Sequence, residues 1–205
     1  LFKERQENEG RDRPAGRCLP HTIPNAMMVP NYPWKIVQTP GLTIVLFENF
    51  TQYRQIFTDG RDFPTERQPA WFGYSLGKWE GDAFVVETLG FNDKSWLDSS
   101  GYPHGEKLHL VERFRKTDPQ TLRYEVTIED PKVFTRPWTI SMPLYRRLEP
   151  NMELLEYRCI EFVEEFLFGN LRKQQLVKRW EGDTIIVDIT RKVPPDDKLY
   201  EWYRR

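Results

Sequence analysis

Leu108, Leu110, Glu112 and Phe114 fall on one side of a period-two pattern, and His109, Val111, Arg113 and Arg115 fall on the other. Such alternation marks a strand with one face turned to a core. After a turn at Asp118-Pro119-Gln120 the pattern repeats, with Leu122, Tyr124, Val126 and Ile128 facing in and Arg123, Glu125, Thr127 and Glu129 facing out. Trp138, Ile140, Met142 and Leu144 follow Asp130-Pro131 at the same spacing. Earlier strands are predicted over 34–38, over 42–47 with both faces apolar, over 53–58 and over 71–79. A later one is predicted from Met152 to Glu161, followed by a short helix over 161–168.

The phrase Lys78-Trp79-Glu80-Gly81-Asp82-Ala83-Phe84-Val85-Val86 reads as a strand, a tight turn and a second strand, with Gly81 free to take positive φ. It returns as Arg179-Trp180-Glu181-Gly182-Asp183-Thr184-Ile185-Ile186-Val187, so one hairpin is used twice. Sequential strands on short turns, without βαβ spacing, predict an all-β fold: an antiparallel, lipocalin-like up-and-down barrel. Before it lies an extended proline-rich segment, whose Ile23, Met27, Met28, Val29 and Tyr32 predict packing on the barrel. The expected organisation is an arm and proline-rich segment over 1–33, a barrel over 34–193 and a tail over 194–205.

The 205 residues suit one large β domain. The net charge of -1 argues against nonspecific nucleic-acid binding, which needs a concentrated basic field. No apolar run approaches the roughly 20 residues of a membrane helix. Aromatic residues make up 14% of the chain, with 7 Trp, which suits either a large aromatic core or an aromatic-lined pocket. The stretch from Gly90 to Glu106 interleaves Phe91, Trp96 and Tyr102 with Asn, Asp, Ser and Gly, as a lid over a pocket would.

Several phrases resemble a family of uncharacterised, mostly exported proteins common in soil bacteria. They are Asp59-Gly60-Arg61, Gly73-Tyr74-Ser75-Leu76-Gly77-Lys78-Trp79-Glu80-Gly81-Asp82, Gly90-Phe91-Asn92-Asp93, Trp96-Leu97-Asp98, Gly101-Tyr102-Pro103-His104 and Glu112-Arg113-Phe114. Arg17-Cys18-Leu19-Pro20, Gln38-Thr39-Pro40-Gly41, Asp130-Pro131 and Glu156-Tyr157 belong to the same likeness, which covers residues 15–161. It implies export to a periplasmic or extracellular location and a shared fold, and it assigns no catalytic roles. The family pattern after Cys159 has an Asn in an acidic, His-containing segment, where this chain has Ile160-Glu161-Phe162-Val163-Glu164. Export would let Cys18 and Cys159 form a long-range disulfide; two separate buried thiols are the alternative.

Glu112 is the most informative residue, because it lies on the apolar face of its strand. It is either paired with an inward cation or poised as a general acid or base. His104 and Asp93, in the long loop, are the other candidates for acid–base chemistry. Tyr74, Trp96, Tyr102, Tyr124 and Arg61 are the candidate ligand-binding residues. Ser75 matches the letters G-x-S-x-G but sits in a β meander, which is the wrong context for a nucleophile elbow. No metal-ligand spacing is present and no cofactor is implied. These residues point first to binding of a small apolar or aromatic molecule in a barrel cavity. The alternatives are an isomerase, cyclase or hydrolase using acid–base chemistry there, and a structural subunit of an exported assembly; a small-molecule ligand is the expected partner, and a homo-oligomer is compatible with each reading.

Overall fold

The computed structural model describes residues 1–7, 13–29, 32–160, 177–182 and 184–188. Eight strands form one curled sheet, a half-barrel. They are β1 (Trp34–Thr39), β2 (Leu42–Phe47), β3 (Gln52–Phe57), β4 (Tyr74–Glu80), β5 (Ala83–Leu89), β6 (His109–Asp118), β7 (Thr121–Glu129) and β8 (Trp138–Tyr145). Their spatial order is their chain order, so β1 and β8 are the edges. The all-β, barrel-like expectation holds at this level. One step departs from the up-and-down arrangement: β3 and β4 are parallel, through Ile56↔Ser75 and Phe57↔Leu76. Residues 58–73 carry the chain back to the end of the sheet where β3 began, a return that parallel neighbours require.

The first Trp-Glu-Gly-Asp phrase forms the β4–β5 hairpin, with Glu80↔Ala83 and Trp79↔Phe84 in register. Gly81 carries φ 62° and Asp82 is not in the positive-φ region, the sign pattern of a type II′ turn. The second phrase forms β9 (Val177–Glu181) and β10 (Thr184–Asp188) in the same register, with Glu181↔Thr184 and Trp180↔Ile185. This hairpin stands in its own two-stranded sheet, which corrects the expectation that it ends the main one. Helix α1 (Phe2–Glu7) lies beside β9, and Lys3 Nζ donates to the Gly182 carbonyl at 2.6 Å.

Period two decides what is buried in most strands, β5 excepted, where Ala83 and Val85 are buried as well as Phe84 and Val86. Val45 and Phe47 of β2, Ile56 of β3, Phe84 and Val86 of β5, Leu110 and Phe114 of β6, and Tyr124, Val126 and Ile128 of β7 share the inner face. Gly77 permits a close crossing there: a Cβ would meet Ile56 Cγ2 and Phe84 Cζ at 2.7 Å, so crowding excludes any side chain. Ile23, Ala26 and Met27 complete the core from the N-terminal side. The proline-rich segment is not extended throughout, since Asn25–Met28 forms the short helix α2 and buries Asn25, Ala26 and Met27.

No strand forms over 152–160. That stretch is tied down by side chains instead. The Leu155 amide donates to Glu48 Oε2 at 2.9 Å, and Thr51 Oγ1 donates to the Tyr157 carbonyl at 3.1 Å. Cys159 is bonded to Cys18, with 5.6 Å between their Cα atoms. The helix predicted over 161–168 and the tail over 194–205 lie outside the described residues.

Because the bridge closes a chain separation of 141 residues, it removes considerable entropy from the unfolded chain. Urea unfolding with and without reductant is expected to show a loss of about 2–4 kcal/mol on reduction. Titration of unfolded, unreduced protein should find no free thiol at Cys18 or Cys159.

Candidate functional site

Five strands converge on one buried polar cluster. Arg54 alternates with Ile56 on the inward face of β3. Ser75 of β4 and Thr88 of β5 are direct cross-strand partners. Glu112 of β6 stands opposite Val86, and Tyr124 of β7 stands opposite Phe114, one inward position along from Glu112. Period two therefore places all five side chains on the same face.

The Arg54 guanidinium fills the gap between them. Nε donates to Ser75 Oγ at 3.1 Å, Nη1 to Glu112 Oε1 at 3.1 Å and Nη2 to Thr88 Oγ1 at 2.8 Å. Nη2 also donates to Glu112 Oε2. The Tyr124 hydroxyl donates to Glu112 Oε1 at 3.0 Å. Arg54 is 2% exposed, and Glu112 and Tyr124 are 0% exposed. Charges removed from water to this degree persist only when paired and hydrogen-bonded, and a bidentate Arg–carboxylate pair with a phenol as third donor meets that demand. Burial, and then the Glu112 charge beside it, pushes the Tyr124 phenol well above its ordinary pKa, so it remains a donor.

Of the two readings of Glu112, the pairing with an inward cation is the one the geometry contains. Both carboxylate oxygens are engaged by donors. Ser75 accepts from Arg54 and shares a 3.1 Å hydrogen bond with Thr88, with no base beside it. The cluster is a satisfied polar network rather than a poised nucleophile.

His104 lies elsewhere, in the loop after β5. Its Nε2 is 2.9 Å from Ser95 Oγ and its Nδ1 is 3.3 Å from the Gly105 carbonyl. These partners assign the proton to Nδ1, leaving Nε2 to accept from Ser95. Burial lowers the His104 pKa; the Gly105 carbonyl, Asp130 and Asp93 oppose this, and Arg5 adds to the lowering. Asp130 is 1% exposed and accepts from the Gly105 amide at 2.6 Å, which pins the loop to the end of β7. Asp93 is exposed. The three candidates for acid–base chemistry are thus divided among the core network, the buried loop base and the surface. His109 sits on the outer face of β6 between Glu87 at 2.9 Å and Glu129 at 3.4 Å.

The candidate ligand-binding residues occupy three separate places. Tyr124 belongs to the core network. Tyr74 stacks on Phe57 at 5.0 Å between ring centroids, with Arg61 over Phe57 at 4.1 Å and chelated by Asp59. Trp96 and Tyr102 lie under α1, described below. Among the described residues, no group of three or more His, Cys, Asp or Glu side chains could hold a metal ion, and no helix is long and apolar enough to cross a membrane.

Sequence reasoning missed Arg54, Thr88 and Asp130. The signal for Arg54 was its spacing: it shares parity with Ile56, and an inward Glu112 needs a cation. No family model, curated protein or solved structure matches the chain.

Removing Arg54 alone strands a buried carboxylate. Arg54→Ala is expected to cost about 3–5 kcal/mol in denaturant unfolding, and Arg54→Met with Glu112→Leu to cost less than the single change. Acid should also weaken the fold through the half-buried His21 and the buried His104. His21 is lowered from 6.5 to about 4, chiefly by burial and then by Arg13, and Asn25 Nδ2 lies 3.1 Å from its Nδ1. His104 shifts in the same direction. Both bind protons more weakly folded than unfolded, so their contribution is complete above pH 6.5 and is lost as pH falls below it, for His21 toward about 4. Thermal unfolding across this range should show a falling Tm, and His21→Gln should flatten the slope.

Proposed function

We propose that the protein binds a small apolar or aromatic molecule on the concave face of the half-barrel, along its open side between β1 and β8. The observation that carries this reading is the state of the edge strands. Trp138, Ile140, Met142 and Leu144 of β8 and Trp34 and Ile36 of β1 pack against the core, yet each is half-buried. Apolar rows continuous with a core and open to solvent at a concave edge are the material of a ligand site. Behind them the Arg54 network joins β3 to β7, and the rows lie on the edge strands outside it, where they can adapt to a ligand. In this reading the fold works as a lipocalin-like holder.

Binding draws more support than acid–base catalysis. Glu112 is fully buried with both oxygens bonded to Arg54 or Tyr124, Asp93 is on the surface, and His104 is buried with Ser95 on its Nε2. We also propose export, a reading that rests on the Cys18–Cys159 bridge, since disulfides persist in oxidising compartments.

The test is a titration with an apolar fluorescent dye such as anilinonaphthalene sulfonate, alongside mass spectrometry of an organic extract of the purified protein. Native protein is expected to bind the dye saturably, and Ile140→Glu to weaken binding at least about tenfold while circular dichroism stays unchanged, because a carboxylate in an apolar site is costly. Dye binding that is absent, or indifferent to Ile140→Glu, would count against the site.

A further inference from the structure

The loop after β5 carries a surface already occupied by another part of the chain. Asp98 Oδ1 accepts from the amides of Ser100 at 3.0 Å, Gly101 at 3.0 Å and Tyr102 at 3.1 Å, and the Leu97 amide donates to the Tyr102 carbonyl at 2.9 Å. These bonds are internal to the loop. They leave the carbonyls of Ser100 and Gly101 free to accept from α1.

Helix α1 fits this surface through three side chains. Phe2 stacks on Tyr102 with centroids 4.2 Å apart and planes 22° from parallel. The Arg5 guanidinium lies 4.7 Å over the Trp96 ring, and its Nη1 donates to the Gly101 carbonyl at 2.8 Å. Gln6 Nε2 donates to the Ser100 carbonyl. Gly101 at φ 98° makes room, since a Cβ there would stand 3.3 Å from Arg5 Cβ. Stacking and cation–π contacts are among the stronger ones an exposed aromatic surface can make.

The helix brings little of its own. It has 6 residues and none is buried. Isolated helices shorter than about 12–15 residues are marginal in water, so α1 is helical because it is held from outside, by this loop and by β9 beside it, where Lys3 donates to the Gly182 carbonyl. It behaves as a ligand that the chain carries with it.

We propose that the Trp96–Tyr102 face is a peptide-docking site, with α1 as its occupant in cis. Its partner is a polypeptide segment that presents an aromatic residue and, three positions later, an arginine on one helical face. The aromatic residue replaces Phe2 on Tyr102, and the arginine replaces Arg5 between Trp96 and the Gly101 carbonyl. The site is distinct from the open side between β1 and β8 and does not depend on it.

The test uses the full chain and a dye-labelled peptide, Leu-Phe-Lys-Glu-Arg-Gln-Glu, followed by fluorescence anisotropy. The variant Phe2→Ala with Arg5→Ala is expected to bind the peptide at least about tenfold more tightly than the unaltered chain, whose site is filled. Alanine at the peptide's own Phe and Arg should weaken binding to the variant at least about tenfold. Equal binding to both chains, or no saturable binding to a variant that keeps its native circular dichroism, would overturn the proposal. A second measurement needs no variant. Millimolar unlabelled peptide should speed amide exchange in α1 of the unaltered chain while the amides of Ser100, Gly101 and Tyr102 keep their protection, and unchanged exchange in α1 would contradict displacement.

Discussion

The buried pair of Arg54 and Glu112 is the constraint on which the sheet depends. It joins β3 to β6 across the two strands between them, and its remaining donors hold Ser75 and Thr88 on those strands. The seam it spans is the weakest in the sheet, because β3 and β4 share only a short parallel pairing. A buried ion pair gives little net stability, since desolvation offsets the attraction. Its physical effect is on register. A slip by one residue would turn every inward side chain of a strand outward. At Glu112 the slip would also leave Arg54 and Tyr124 without an acceptor in the core.

From that centre the structure grades outward. The inner faces of β5, β6 and β7 are closed by Phe91, Leu97 and Leu108, and Ile23 and Met27 cover the core from the N-terminal side. Burial falls off at β1 and β8, where the inward residues are half-exposed. The two surfaces proposed to bind lie at this periphery: the apolar rows of the open side, and the aromatic loop that α1 covers. A rigid polar centre with adaptable apolar margins separates the part that sets geometry from the parts that can meet a partner.

Much of the fold could be read from alternation alone. The inward sets of β6 and β7 are the residues that period two selects, and the Trp-Glu-Gly-Asp phrases become hairpins with matching register. Glu112 stood out because a carboxylate on an apolar face demands an explanation. Its partner was harder to see. Arg54 lies in a strand whose other positions include Tyr53 and Gln55, and a lone arginine in such a strand reads as a solvent-facing residue. The parallel step between β3 and β4 left no trace, because residues 58–73 return the chain without a helix. Residues 152–160 have strand-like letters, but their backbone is claimed by Glu48, Thr51 and the Cys18 bridge rather than by a ladder. The docking of Phe2 and Arg5 on Tyr102 and Trp96 joins positions 100 and 91 residues apart in the chain, which no local pattern encodes.

Native-state hydrogen exchange across the sheet tests the central role of the Arg54–Glu112 pair most directly. Amides of β3 through β7 should exchange only through global unfolding, with one common free energy, and those of β1 and β8 through smaller local openings. In Arg54→Ala the protection of β3 should fall below that of β6 and β7, because the clamp across the parallel seam is gone. Equal protection of β3 and β6 in that variant, or protection at β8 as high as at β6 in the unaltered chain, would contradict a structure organised around the buried pair.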